Sequence, residues 1–245
     1  MNGNRELATL SRRGGALSAL LFAVMALALM AGCTSAQDEE VRKLQARNSY
    51  DNAVRSLSDN RLALGMASLK EAIQLDPENA QFHNTLGLVY LNLGRPIDGQ
   101  AEIQAAIDLD KNNPDYHHNL GIAFAQQGKF DDAIVAYQKA LSFPTYTTPE
   151  VAYYNMGEAY IRLRKAQEAV ESFRAAIQLE PIMVAGYYGL GLALTQTGQR
   201  DDAKAAFRRA RDIDPASPFS ELAKNALKQL GDGADVKESP PPPNK

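Results

Sequence analysis

The feature that most constrains the fold of this chain is a glycine that returns at an almost constant interval. Gly87, Gly121, Gly157 and Gly191 are separated by 34, 36 and 34 residues. Each follows a leucine or methionine and is followed, three positions later, by an aromatic residue or a leucine. A period of about 20–50 residues is typical of stacked repeats in which each unit buries its apolar face against its neighbours. We therefore expect a repeat protein.

A second motif follows each glycine and completes the unit. Alanine, an aromatic residue and alanine recur at spacings of four and three, which places all three on one face of a helix. The instances are Ala133-Tyr137-Ala140, Ala169-Phe173-Ala176 and Ala203-Phe207-Ala210, with a weaker version at Gly99-Ile103-Ala106, and Pro77, Pro181 and Pro215 close three of the repeats. This pattern resembles the tetratricopeptide repeat (TPR), a helix pair of about 34 residues. The resemblance implies an all-α TPR superhelical solenoid.

Counting from the glycines divides the chain into five full repeats and their flanks. The repeats are predicted at 46–79, 80–113, 114–149, 150–183 and 184–217, so the TPR region is 46–217. A capping helix is expected at 218–230 and a disordered, proline-rich tail at 231–245. The first repeat is degenerate, with Asn52 and Ser56 at usual core positions and Gly65 in place of alanine. Gly94 and Gly128 are expected to end first helices in the left-handed conformation.

The amino terminus has the organisation of an export signal. Three arginines precede 16–30, a run of 15 residues without a charge, which is shorter than the roughly 20 residues of a membrane span. The run ends in Leu29-Met30-Ala31-Gly32-Cys33, which resembles the lipobox of bacterial lipoproteins and contains the sole cysteine. That resemblance implies a signal peptide at 1–32, a diacylglycerol and an N-acyl chain on Cys33, and a lipidated linker leading into the first helix at 33–45. An ordinary cleaved signal or an uncleaved anchor is the alternative.

The first helix of each TPR lines the surface on which this class of repeat binds ligands. We number the positions of each repeat from its first residue; positions 5 and 9 lie one helical turn apart. These positions are mostly apolar or aromatic here and predict a partner-binding groove: Tyr50, Val54, Asn84, Leu88, His118, Ile122, Tyr154, Glu158, Tyr188 and Leu192. Such a surface suits an extended peptide or an amphipathic helix of a partner protein. Alternatively, a terminal segment of this chain covers the groove.

Other chemistry is weakly supported by the sequence. His83 and His117 occupy the same position of neighbouring repeats and are interpreted, with His118, as packing residues, so no metal site and no cofactor are predicted. Glu158 and Arg162 are spaced to form a surface salt bridge. No nucleophile and base can be paired, so we do not expect an enzyme. The formal net charge of −3 argues against nucleic-acid binding, which needs a basic surface.

Taken together, the lipobox, the repeats and the length resemble the type IV pilus biogenesis lipoproteins, the secretin pilotins of the PilF/PilW/Tgl type, and within them the Tgl branch of gliding motility. The turn at 143–150 is two residues longer than in the other repeats and is similar to that family's insertion. The resemblance implies an outer-membrane lipoprotein with its TPR body in the periplasm. Its partner would be a secretin subunit, whose localisation and multimer assembly it would assist. The alternative is a general cell-envelope TPR adaptor that recruits cell-wall enzymes or assembly factors.

Overall fold

The computed structural model describes residues 37–231, which form eleven α-helices and no strand. The helices are α1 (37–58), α2 (Leu62–Leu75), α3 (Ala80–Asn92), α4 (Pro96–Leu109), α5 (Pro114–Gln126), α6 (Phe130–Leu141), α7 (Pro149–Arg162), α8 (Ala166–Leu179), α9 (Val184–Gln196), α10 (Arg200–Ile213) and α11 (Pro218–Gln229). The predicted signal peptide at 1–32, Cys33 and the tail beyond Gly231 lie outside these residues. The all-α TPR fold expected from the sequence is confirmed.

Each first helix ends in the same way, at position 15 of its repeat. The residue there has a positive φ in all five cases: Asn60 (60°), Gly94 (68°), Gly128 (76°), Arg164 (59°) and Gly198 (79°). The next backbone N–H then donates to the carbonyl five residues earlier, for example from Lys129 to Phe124 at 2.9 Å. This is the six-to-one bond of a Schellman motif, which satisfies a carbonyl that the helix end would leave unpaired. The prediction for Gly94 and Gly128 is confirmed.

The two helices of a repeat pack closely because glycine faces a large side chain. A Cβ added to Gly157 on α7 would lie 2.7 Å from the Phe173 ring on α8, and one added to Gly87 would lie 2.6 Å from Ile103. The Phe173 ring also touches Gly189 of the next first helix, where an added Cβ would lie 2.5 Å away. Phe173 is fully buried as a result. The residue at position 24 thus fills the seam between neighbouring repeats, as the sequence motif predicts.

Packing divides the chain into two compact units, one up to Phe82 and one from His83 onward. In the first unit, Ala46 of α1 and Ala72 of α2 pack with Phe82, whose ring stacks on Tyr50 at a centroid distance of 4.9 Å. Gly65 replaces the usual alanine because Leu57 occupies the space, only 2.6 Å from where a Cβ would lie. The second repeat has the equivalent arrangement, in which a Cβ added to Gly99 would lie 2.6 Å from Leu91.

The second unit is a succession of helical hairpins closed by α11. Its largest apolar cluster runs from α8 to α11 and has Phe173, Phe207 and Leu227 near its centre. Helix α11 begins at Ser217, whose hydroxyl accepts a hydrogen bond from the Phe219 N–H. Its buried Ser220 donates to the carbonyl of Arg211 on α10 at 3.0 Å. The last helix thereby covers apolar surface of α9 and α10.

Among residues 37–231, no helix is both long enough and apolar enough to cross a membrane.

Candidate partner-binding groove

The predicted groove residues lie on the first helices of their repeats, on α1, α3, α5, α7 and α9. In the first unit, Tyr50 is partly exposed and Val54 is 40% exposed. In the second unit most of the predicted residues are partly exposed: Asn84, Leu88, Ile122, Tyr154, Glu158, Tyr188 and Leu192. Within each unit, side chains at positions 5 and 9 therefore include surface that is available to a ligand.

His118 departs from this prediction, because its side chain is only 8% exposed and offers no groove surface. The Tyr146 hydroxyl and His118 Nδ1 form a hydrogen bond of 2.7 Å, and Asn155 Nδ2 lies 3.4 Å from His118 Nε2. Burial lowers the pKa of His118, which favours the neutral imidazole. The two extra residues of the turn at 143–150 let Tyr146 reach this position, so His118 is buried and does not contribute to the binding surface.

Asparagines at position 6 link successive first helices and were missed by the sequence interpretation. Asn119 on α5 donates to the side-chain carbonyl of Asn84 on α3 at 3.0 Å. Asn155 on α7 makes the equivalent contact to His118 on α5. In both cases position 6 of one repeat meets position 5 of the repeat before it. The available signal was an asparagine two residues before the repeat glycine, at 119 and 155.

The two tyrosines at position 5 form the aromatic floor of the groove in the last repeats. The Tyr154 ring packs on Phe173 at a centroid distance of 5.8 Å, and the Tyr188 ring packs on Phe207 at 5.7 Å and on Phe219 of α11 at 5.9 Å. Burial, followed by the charge of Glu158, raises the pKa of Tyr154 to about 12 and raises that of Tyr188. Both phenols are therefore neutral at physiological pH.

Glu158 is the carboxylate of this surface and lies one turn beyond Tyr154 on α7. Burial raises the pKa of Glu158, and the nearby positive charge of Arg162 opposes that shift without cancelling it. Among the residues that the structure describes, Glu158 makes no hydrogen bond and no ion pair. The predicted salt bridge between Glu158 and Arg162 is therefore not formed; Arg162 is exposed and Glu158 is partly buried.

The histidines have local partners. His83 Nδ1 lies 2.8 Å from the Glu102 carboxylate, within one repeat. The His117 ring stacks on Phe143 at a centroid distance of 5.5 Å, and its Nε2 lies 3.0 Å from the Lys111 carbonyl. Within 37–231, no three His, Cys, Asp or Glu side chains come together as a potential metal site. The histidines thus contribute packing and hydrogen bonds within and between helices.

The fold and this surface define a helical-repeat scaffold. Sequence profiles of the tetratricopeptide repeat match residues 58–94, 80–113, 114–143 and 154–218, which together make up more than half of the chain. The chain therefore belongs to the tetratricopeptide repeat family, whose members commonly bind other proteins.

Curated relatives match less than half of this chain. The human protein O-mannosyl-transferase TMTC2 is 29% identical over 87 residues, which are 35% of this chain and 10% of that protein. The heat shock protein STI1 of Saccharomyces cerevisiae is 26% identical over 112 residues, 46% of this chain and 18% of that protein. The chain thus spans less than a fifth of the length of either relative.

Three solved structures extend the comparison to most of the chain. PilW, described as a widely conserved type IV pilus biogenesis factor, is 19% identical, with a TM-score of 0.70 over 76% of this chain and 86% of PilW. PilF of Pseudomonas aeruginosa is 18% identical, with a TM-score of 0.68 over 78% of this chain and 86% of PilF. YrrB, a TPR protein with an unusual peptide-binding site, is 21% identical, with a TM-score of 0.61 over 78% of this chain and 97% of YrrB. At these identities the likeness shows a shared fold.

Proposed function

We propose that this chain is a lipid-anchored, non-catalytic pilotin of the outer membrane. It would bind a secretin subunit of the type IV pilus and assist the assembly of the secretin multimer, and so serve pilus-driven motility. The observation that carries the proposal is the combination of a lipobox at Cys33 with a TPR fold similar to those of PilW and PilF. Within this family, the sequence resemblance favours the Tgl branch of gliding motility.

The groove supplies the binding surface in this proposal. The partly exposed Ile122 and Leu192 offer apolar contacts, and Tyr154 and Tyr188 offer rigid aromatic area that is held in place by the phenylalanines beneath. Preorganised aromatic and aliphatic side chains bind well because little conformational entropy is lost on association. An amphipathic helix or an extended segment of the secretin fits such a surface.

Anchoring has a physical role in this scheme. Each buried methylene contributes about 0.8 kcal/mol to membrane affinity, so two or three acyl chains hold a protein at the bilayer firmly. Confinement to the membrane surface raises the effective concentration of the scaffold around a membrane-bound partner. The proposed lipid on Cys33 would therefore favour secretin assembly at the membrane even if each groove contact is weak.

The test is Cys33→Ala in the producing bacterium, followed by membrane fractionation and a blot for heat-resistant secretin multimers. Ser35→Ala is the matched control, since it changes a neighbouring residue and keeps the cysteine. We expect the Cys33→Ala protein to leave the outer-membrane fraction and the multimers to fall at least tenfold, with the control unchanged. If the protein leaves the membrane while multimers persist, the pilotin proposal is wrong. An envelope adaptor with another client would then be the better explanation.

A further inference from the structure

Glu158 breaks the chemical pattern of the groove. The same position carries Leu88 on α3, Ile122 on α5 and Leu192 on α9. Glu158 is the only carboxylate at positions 5 and 9 of the five repeats. A chain that needed only an apolar stripe would place an aliphatic residue here as well.

We call the groove surface that Glu158 shares with Tyr154 on α7 and Tyr188 on α9 the subsite. Tyr154 precedes Glu158 by one turn on the same face of α7. The negative charge of Glu158 contributes to raising the pKa of both Tyr154 and Tyr188. On the α5 side, Asn155 contacts the buried His118, which Tyr146 covers. On the α11 side, the subsite ends where Phe219 packs on the Tyr188 ring.

The partly buried carboxylate of Glu158 has no ion-pair partner and no hydrogen-bond donor among the described residues. Transfer of a charged group from water to a partly apolar site costs free energy unless a counter-charge or hydrogen-bond donors compensate. Within residues 37–231, Glu158 has neither a hydrogen bond nor an ion pair, and the exposed Arg162 only partly offsets the effect of burial. Because Glu158 is partly exposed, a positively charged group of a bound partner can reach the carboxylate and supply this compensation.

We infer that Glu158 is a charge-recognition position for a lysine or arginine side chain that the bound segment carries within its otherwise apolar contact stripe. The inference rests on the proposed binding role of the groove but not on the identity of the secretin. The aliphatic part of a lysine or arginine would pack on Tyr154 and Tyr188 while its charged end reaches the carboxylate. Such a pair selects among apolar segments and sets the register of the bound one.

The test uses full-length protein in nanodiscs of zwitterionic lipid and two fluorescent helical peptides. Both peptides carry one stripe of leucines and differ at a single central position of that stripe, which is lysine in one and norleucine in the other. Fluorescence anisotropy, corrected with empty nanodiscs, gives the ratio of the two dissociation constants. We expect wild-type protein to bind the lysine peptide about tenfold more tightly, as is reasonable for one charge-assisted contact.

Three variants make the outcome specific. Glu158→Gln should bring the ratio to about one, and Glu158→Lys should reverse the preference, because like charges then meet. Glu171→Gln, which neutralises an exposed carboxylate on α8, is the matched control and should keep the wild-type ratio. Circular dichroism checks that all variants remain equally helical.

The inference is overturned if wild-type protein does not prefer the lysine peptide, or if Glu158→Gln keeps the preference. If both peptides bind equally, the groove still binds apolar segments and only the role of Glu158 fails. If neither peptide binds, groove binding itself fails together with this inference, whereas the Cys33→Ala experiment reports separately on the secretin.

Discussion

At the scale of single residues, position 15 shows how far a repeat pattern predicts backbone conformation. Gly94 and Gly128 predicted helix ends in the left-handed conformation, and the structure has this conformation at both residues. Arg164 occupies the same conformation with φ 59°, although its residue type gives no such signal. Its side chain is exposed, so burial of the arginine side chain does not offset the cost of this backbone conformation. The repeat register, and not the residue type, was the information that could have predicted this conformation.

Arg164→Gly is therefore expected to stabilise the protein by about 0.5–1 kcal/mol. A side chain in the left-handed region costs about 1–2 kcal/mol, of which the greater freedom of glycine in the unfolded chain returns a part. The free energy of unfolding from urea titration measures the effect. Gly128→Arg is the reverse control and should destabilise by a similar amount, because open space surrounds Gly128 and only its backbone conformation is penalised. Equal stability of all three proteins would contradict this explanation.

His118 and Tyr146 show the limit of the pattern at this scale. The register correctly assigned His118 to position 5 of its repeat, but exposure at that position depends on what else approaches it. Tyr146 comes from the lengthened turn, where the periodicity is interrupted, and covers the ring of His118. A contact made by an insertion has no counterpart in the other repeats, so periodicity could not predict it.

At the scale of helices, the sequence motif and the packing agree because both reflect the space available between the two helices of a repeat. A glycine at position 8 leaves room for the large side chain at position 24, and the space is filled in each of repeats 2 to 5. This reciprocal fit explains why helix existence, pairing and approximate bounds could be predicted from the sequence. At position 20, glycine replaces alanine in the first two repeats, and Leu57 and Leu91 occupy the space beside Gly65 and Gly99.

The close packing of Gly157 and Phe173 predicts that substitutions at these two positions have coupled effects on the free energy of unfolding. Gly157→Ala should destabilise the protein by about 1–3 kcal/mol, since its Cβ would lie within 3 Å of the Phe173 ring and the backbones would have to separate. Phe173→Leu alone should also destabilise, because it leaves a cavity. The double variant should be more stable than the sum of the two losses implies, as a double-mutant cycle in urea would show. Strict additivity would mean that these residues do not compete for one space.

At the scale of the whole molecule, the chain combines a repeat fold that the sequence predicts well with a partner that it identifies only through resemblance. The fold follows from a periodic pattern, so five repeats reinforce one another as evidence. The partner depends on a few side chains on one face, which the fold does not dictate. Which side chains are exposed on that face could be read only from the structure. Leu192 is partly exposed and belongs to the groove surface, whereas His118 is buried and does not. Tyr154 also packs on the core residue Phe173.

Leu192 is accordingly the best position at which to test the groove, because its side chain is partly exposed and position 9 is aliphatic in every repeat except the one that carries Glu158. Tyr154 is less suitable, since its removal would disturb the packing of Phe173 as well. Leu179 on α8 offers a matched control: it is 50% exposed and lies on a second helix, away from positions 5 and 9.

The most direct measurement compares Leu192→Glu with Leu179→Glu in cells that carry an intact Cys33, and quantifies both the secretin multimers and the abundance of each variant. We predict that Leu192→Glu lowers the multimers at least tenfold at normal protein abundance, because a charge in an apolar contact surface costs several kcal/mol of binding. Leu179→Glu should leave the multimers at the wild-type level. Normal multimers with Leu192→Glu, or an equal loss with both variants, would contradict the claim that this groove binds the partner.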